Sequence, residues 1–252
     1  VRNTMLVRVV FFCSIFIFGA ATECTRGNNA TLPGLLKKRI LCKYDPKVPP
    51  GSSVTLNLFV YIKDLRVLED ENILYVYYTL TRSWKDDYLK FEPQKFGGED
   101  PIRLEYGLWN PGVVALDTKS PALYNEWYMK EFDFRKNRIF IFAKGSVYVQ
   151  STRIAAVHCE FDFYLWPFDR QTCRMKIGSA KYSQDEVKIR LSPYGQDIRL
   201  QRKDQGRWIV EGINGRNLTD SQKWDLRSRQ RQVEVEFRLK RAFDSLSMIM
   251  VV

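Results

Sequence analysis

Histidine occurs once in the 252 residues, at His158, and no CxxC appears, so the donor spacing of a structural zinc site is missing. Ser, His and Asp nowhere form a nucleophile motif, and nothing in the chain reads as catalytic. The one long apolar run, Val9 to Phe18, is far shorter than the roughly 20 residues a membrane-spanning helix needs. A polytopic membrane protein is therefore excluded for the residues present. No internal repeat, low-complexity tract or interdomain linker interrupts the chain. The sequence thus implies no cofactor, no metal and no enzyme.

What is present supports a folded domain. Hydrophobic residues make up 45% and aromatic residues 14%, enough to bury a sizeable core and exclude disorder as the main state. A net charge of +11 favours an acidic partner or a membrane surface, or simply a solvated exterior. The segment Met5 to Arg8, the apolar run and the small residues Gly19 to Thr22 together read as a signal peptide over residues 1–21. Cys13 belongs to that segment, which leaves Cys24, Cys42, Cys159 and Cys173 for an oxidising compartment. Four cysteines allow three pairings, of which the local one closes the shortest loops. The sequons at Asn29 and Asn217 fit an extracellular surface, and nucleic acid is a poor partner there. His158, beside Cys159 in a strand-like run, reads as an ordinary structural residue.

Period-two alternation dominates the rest. Strands are expected at 54–65, 73–80, 138–143, 146–157, 174–178, 186–191 and 232–239, and a short helix at 32–41. In the last strand Val233, Val235, Phe237 and Leu239 share one face, and Glu234, Glu236, Arg238 and Lys240 the wet one. Turn residues recur at Lys144-Gly145-Ser146, at Ser192 to Gly195 and at Asn214-Gly215. The pattern describes an all-β, antiparallel β-sandwich of about ten strands with a short N-terminal helix.

The most specific constellation is Cys159 to Cys173, which encloses Trp166-Pro167-Phe168-Asp169 at its tip. It resembles the signature loop of the Cys-loop receptors, the pentameric ligand-gated ion channels. Ser83-Trp84-Lys85-Asp86 is similar to that family's Trp-x-Asp motif. Leu108-Trp109-Asn110-Pro111-Gly112 is similar to its Trp-x-Pro-Asp motif, with Gly112 in place of the acid. Arg241 and the apolar run to Val252 resemble the entry into the first transmembrane helix. By that resemblance residues 22–244 form the extracellular domain, residues 245–252 begin a transmembrane helix, and the protein sits at the cell membrane through a C-terminal part not present here.

The resemblance implies a subunit of a homo- or hetero-pentamer that passes the binding of a small-molecule transmitter to a pore. It also implies a Cys159–Cys173 disulfide; a Cys24–Cys42 bond is expected beside it, a departure from the usual family pattern. Glu69, Trp166, Pro167, Phe168, Asp169 and Arg241 fall at the positions that couple the sandwich to the pore. The ligand cage falls at Tyr78, Thr79, Leu116, Ala180, Tyr182 and Trp224, so rings are missing at Thr79, Leu116 and Ala180. An ordinary amine site on this face is therefore not expected, because cationic amines are held by ring faces. A secreted binding protein of the same fold, or an accessory subunit that binds nothing, are the alternatives. The basic stretch from Arg199 to Arg231 reads as a solvated hairpin, with attraction of an anionic ligand as the sharper alternative. The acids Glu69, Asp70 and Glu71 are expected in a solvated turn.

Overall fold

Val54, Leu56, Leu58, Val60 and Ile62 alternate with more exposed neighbours along strand β1 (Val54–Leu68), and all five are buried. The register against the next strand slips between Ile62 and Asp64, after which Leu65 faces inward instead of an even-numbered residue. One inserted residue flips the pleat, which is how a bulge keeps a fifteen-residue strand apolar on its inner side. The computed structural model describes residues 32–42, 44–104, 106–116, 118, 137–192, 198–201, 204–218 and 232–242. The expected signal peptide, Cys24, Asn29, Trp224 and the stretch 245–252 lie outside the described residues.

Helix α1 (Leu32–Cys42) precedes twelve strands: β1, β2 (Ile73–Lys85), β3 (Ile102–Leu104), β4 (Val113–Leu116), β5 (Arg138–Ile141), β6 (Ser146–His158), β7 (Arg170–Ser179), β8 (Val187–Leu191), β9 (Ile198–Leu200), β10 (Asp204–Gln205), β11 (Trp208–Leu218) and β12 (Gln232–Arg241). They form two sheets. The larger runs β3-β5-β6-β2-β1-β8, with β9 also on β1; the smaller runs β10-β11-β12-β7-β4. Pairing is antiparallel except where β8 and β9 join β1 in parallel. The all-β sandwich with its short N-terminal helix is thus as the alternation implies.

Each sheet turns its apolar side to the other. Val233, Val235, Phe237 and Leu239 of β12 meet Met175 and Ile177 of β7 in one core with the β1 and β2 residues. Each fully buried side chain of this kind contributes about 1.5–3 kcal/mol. Cys159, just after β6, is bonded to Cys173 of β7, so the disulfide ties one sheet to the other. Cys42 is disulfide-bonded as well.

Two local expectations need correction. Asn214 and Gly215 are not a turn; they sit inside β11, opposite Glu236 and Val235 of β12. A Cβ at 215 would meet Ile198 Cδ1 at 2.4 Å and Leu191 Cδ1 at 2.8 Å, so the glycine lets these two side-chain ends lie against β11. Glu234, expected on the wet face, is only 4% exposed and pairs with Arg216 at 2.6 Å. The cross-strand cation stands directly opposite it in the register and covers it.

The two Trp motifs anchor the loops outside the sheets. The Trp84 and Trp109 rings meet edge to face at 5.7 Å, both buried. Asp86 accepts from the Tyr88 backbone N–H at 3.0 Å and from the Tyr44 hydroxyl at 2.9 Å, fixing the loop that follows β2. Burial pushes the Asp86 carboxyl up, and these bonds draw it part of the way back. Gly112 has φ +64, and a Cβ there would meet Lys181 Cβ at 2.8 Å, a physical reason for glycine at this position.

Candidate functional site

At one end of the sandwich three chain segments converge on Arg241. β12 ends there; the turn from β1 to β2 brings Glu69; the loop between Cys159 and Cys173 returns through Asp169. The Arg241 guanidinium donates from Nη1 and Nη2 to the two Glu69 carboxylate oxygens at 3.0 and 3.1 Å. It also donates from Nε and Nη2 to the Asp169 oxygens at 2.6 and 3.1 Å. Four charge-assisted bonds occupy the planar fork that suits arginine and not lysine.

The surroundings make this cluster more than a surface pair. Arg241 is 8% exposed and Asp169 2% exposed. The Arg241 guanidinium carbon lies 4.4 Å from the centre of the Trp208 ring and 5.9 Å from that of Phe163. Trp208 and Arg241 face each other across the β11–β12 pair, which explains the stacking. The indole N–H of Trp208 donates to Glu69 Oε1 at 3.1 Å, and Phe161 stacks on Trp208 at 6.1 Å. Gln171 donates from Nε2 to Asp169 Oδ2 at 2.8 Å and to the Asp162 carbonyl at 2.6 Å, and its Oε1 accepts from the Asp162 N–H. The carboxylate is thereby locked to the loop that carries it.

Burial would raise the Asp169 carboxyl, but the bonds from Arg241 and Gln171 outweigh it and hold the group below the usual carboxylate range. For Arg241 burial acts downward and the two carboxylates act upward, with a net rise. Asp169 and Arg241 thus hold each other as an ion pair. Glu69 therefore departs from the expected solvated turn, whereas its neighbours Asp70 and Glu71 are exposed. Leu65 to Glu71, Arg207 and Trp208 also line an open cleft of about 420 Å³ beside the cluster.

Beyond Asp169 the loop tip is apolar and open to solvent. Phe163, Tyr164, Leu165, Trp166 and Phe168 are all exposed, and only Pro167 between them is buried. The Trp166–Pro167 bond is cis, and turns close from Trp166 N–H to the Phe163 carbonyl and from Phe168 N–H to the Leu165 carbonyl. Five large apolar side chains are thus exposed at one loop tip.

The expected ligand positions fall on both sheets. Leu116 of β4 lies over Gly178 of β7, and Ala180 is an exposed residue just after β7 whose N–H bonds the Gly112 carbonyl. Tyr182 takes a hydrogen bond on its hydroxyl from Trp109 Nε1 at 2.8 Å, and their rings lie 5.4 Å apart. Lys181 sits 5.0 Å over the Tyr182 ring. Tyr78 and Thr79 belong to β2 in the other sheet; Tyr78 is enclosed in the core, and Thr79 shares a hydroxyl bond with Thr152 at 3.1 Å. The side chain of Asn217 accepts from the Leu191 N–H and is exposed. Among the described residues no group of three or more His, Cys, Asp or Glu is placed to hold a metal ion.

Trp208, Gln171 and Phe161 escaped the reading of the sequence. Their only signal was alternation within short strands and loops, which says nothing about the cation they surround.

Known proteins are similar to this chain in sequence. The profile of the family described as "Neurotransmitter-gated ion-channel ligand binding domain" matches residues 34–243. The glycine receptor subunit beta of Rattus norvegicus is 26% identical over 174 residues, which covers 65% of this chain and 33% of that protein. The neuronal acetylcholine receptor subunit alpha-9 of Gallus gallus is 28% identical over 193 residues, 71% of this chain and 37% of that protein. Subunit alpha-10 of Homo sapiens is 24% identical over 182 residues, 70% of this chain and 38% of that protein. The chain spans roughly a third of the length of these curated relatives. It belongs to the neurotransmitter-gated ion-channel ligand-binding domain family.

Proposed function

We propose that the chain is the extracellular domain of a subunit of a pentameric ligand-gated channel, and that the Arg241 cluster passes ligand binding to the pore. The observation that carries this reading is the joint anchoring of Glu69, Asp169 and Arg241. A rigid-body tilt of the sandwich moves the β1–β2 turn, the Cys159–Cys173 loop and the end of β12 together, because one guanidinium holds all three. The exposed tip from Phe163 to Phe168 then rests on the membrane portion of the subunit, and residues 245–252 begin that portion. A ligand drives such a tilt only by binding one state more tightly than the other.

The transmitter sits between neighbouring subunits in this reading. With Thr79, Leu116 and Ala180 lacking rings, the ring-face contribution of about 0.5–2 kcal/mol per contact is lost at three places. This favours a second form of the proposal, a subunit that assembles in a mixed ring and leaves the principal binding face to a partner. Glycine and acetylcholine, named for the relatives, are the first ligands to try. The test is the full-length subunit expressed in oocytes alone and then with related subunits. Currents evoked only in the mixed case support the accessory form, and currents alone support a binding subunit. Proper surface assembly with currents unchanged by its presence or by Arg241→Glu would refute both.

A further inference from the structure

Between the two sheets, away from the Arg241 cluster, a second arginine is buried without a carboxylate. Arg82 of β2 is 2% exposed and points inward with Leu80 and Trp84. Among the described residues its one hydrogen bond runs from Nη2 to Ser151 Oγ at 3.5 Å, the long limit of such a bond, and its Nε finds no acceptor. The same Ser151 Oγ already accepts from Arg153 Nε at 3.3 Å, while Arg153 Nη1 donates to the Val113 carbonyl at 2.7 Å. Trp84, two residues along on the same face, has a buried indole N–H that also lacks an acceptor. Tyr78 stands opposite Arg153 in the β2–β6 register, enclosed in the same interior.

The inventory is one-sided. Two guanidinium groups meet at Ser151, and among the described residues no carboxylate is bonded to either arginine. Burial and the neighbouring Arg153 charge push Arg82 down to about 10, still well above neutral pH, so deprotonation does not relieve it. Buried charges in folded proteins are paired, and an uncompensated one is among the costliest defects a core can carry.

We propose that the interior around Arg82 is a binding site for a small monovalent anion, held by Arg82 Nε and the Arg153 guanidinium. At 2% exposure Arg82 favours a small ion over a bulky one. A halide accepts from several N–H donors with little directional demand, and a carboxylate matches the guanidinium fork. The anion completes the core rather than signalling at the surface, and the site does not depend on the channel reading above.

Thermal melting of the full chain, purified with its disulfides, tests this in sodium gluconate against chloride, bromide and formate at equal ionic strength. The expected result is a saturable rise in Tm of about 4 °C or more with the small anions. A rise with halides alone identifies an inorganic ion, and a rise with formate alone a carboxylate. Arg82→Met should abolish the rise and melt higher than the native chain in gluconate. Crystals of the native chain grown in bromide should also show an anomalous peak within hydrogen-bond reach of Arg82 Nε, a readout that needs no variant. Equal Tm in all four salts, a rise that survives Arg82→Met, or no bromide peak there would overturn the site.

Discussion

Glu69 and Arg241 lie 172 positions apart in the chain and meet through two nearly equal bonds of 3.0 and 3.1 Å. The same guanidinium holds Asp169, so the pair is really a triad of two acids on one cation. A simple exchange of Glu69 and Arg241 therefore does not restore the arrangement: Glu at 241 would face Asp169 as a like charge at close range. Rescue needs Asp169 changed too.

Truncating Asp169 should unfold the domain more easily. Removing one partner of a buried ion pair strands the other and costs about 3–5 kcal/mol. For a domain of this size that is a Tm drop of roughly 6–15 °C for Asp169→Ala, read by calorimetry. A drop below about 2 °C would mean that water already solvates the pair.

The pH dependence has a definite sign. The folded carboxyl of Asp169 is held below its unfolded value of about 3.9, so its contribution is complete above that value and disappears as pH falls through the lower folded one. Asp86 is shifted the other way, so the comparison must be between variants. Between about pH 5 and 2, the native chain should lose stability more steeply than Asp169→Asn. Parallel curves in chemical denaturation would contradict the assignment.

Trp208 separates packing from polarity. Trp208→Phe keeps a ring face under Arg241 and removes only the N–H to Glu69, a loss of about 1 kcal/mol. Trp208→Ala empties a buried site and also loses the cation–ring contact, about 3–5 kcal/mol in urea unfolding. Equal losses would show that the indole N–H is the whole of its role.

Gly145 should tolerate no side chain. Its φ is +80, and a Cβ would meet the Asp86 carbonyl oxygen at 2.4 Å, the residue whose N–H bonds the Gly145 carbonyl. Gly145→Ala should cost about 1–3 kcal/mol in the same assay, with the loop after β2 exchanging its amide hydrogens faster.

Much of this was legible because buried strands advertise themselves. β1, β6 and β12 carry alternating stretches, and seven of the twelve strands stand where the pattern puts them, several a few residues longer. β11 was hidden because Gly212, Asn214, Gly215 and Asn217 carry turn propensity; its partner β12 supplies the ladder that overrides it. The short strands β3, β4, β9 and β10 give too few residues to establish a period. The contact of Glu69 with Arg241 came from the family resemblance alone. The Trp208 platform and the second carboxylate's full geometry depend on β-register between distant segments, which no local pattern encodes.

In the proposed reading Glu69, Asp169 and Arg241 act as one unit in opening a pore. Its most direct test is the ligand-evoked current of the full-length channel carrying Glu69→Arg, Asp169→Lys and Arg241→Glu, singly and all together, with ligand binding measured on the same cells. Each single change should cut the maximal current about tenfold or more, equivalent to roughly 1.4 kcal/mol, while binding persists. The full charge reversal should recover much of the current, because every attractive pair is re-formed with opposite sign. Silent single changes, or a triple variant no better than the worst single, would contradict the account.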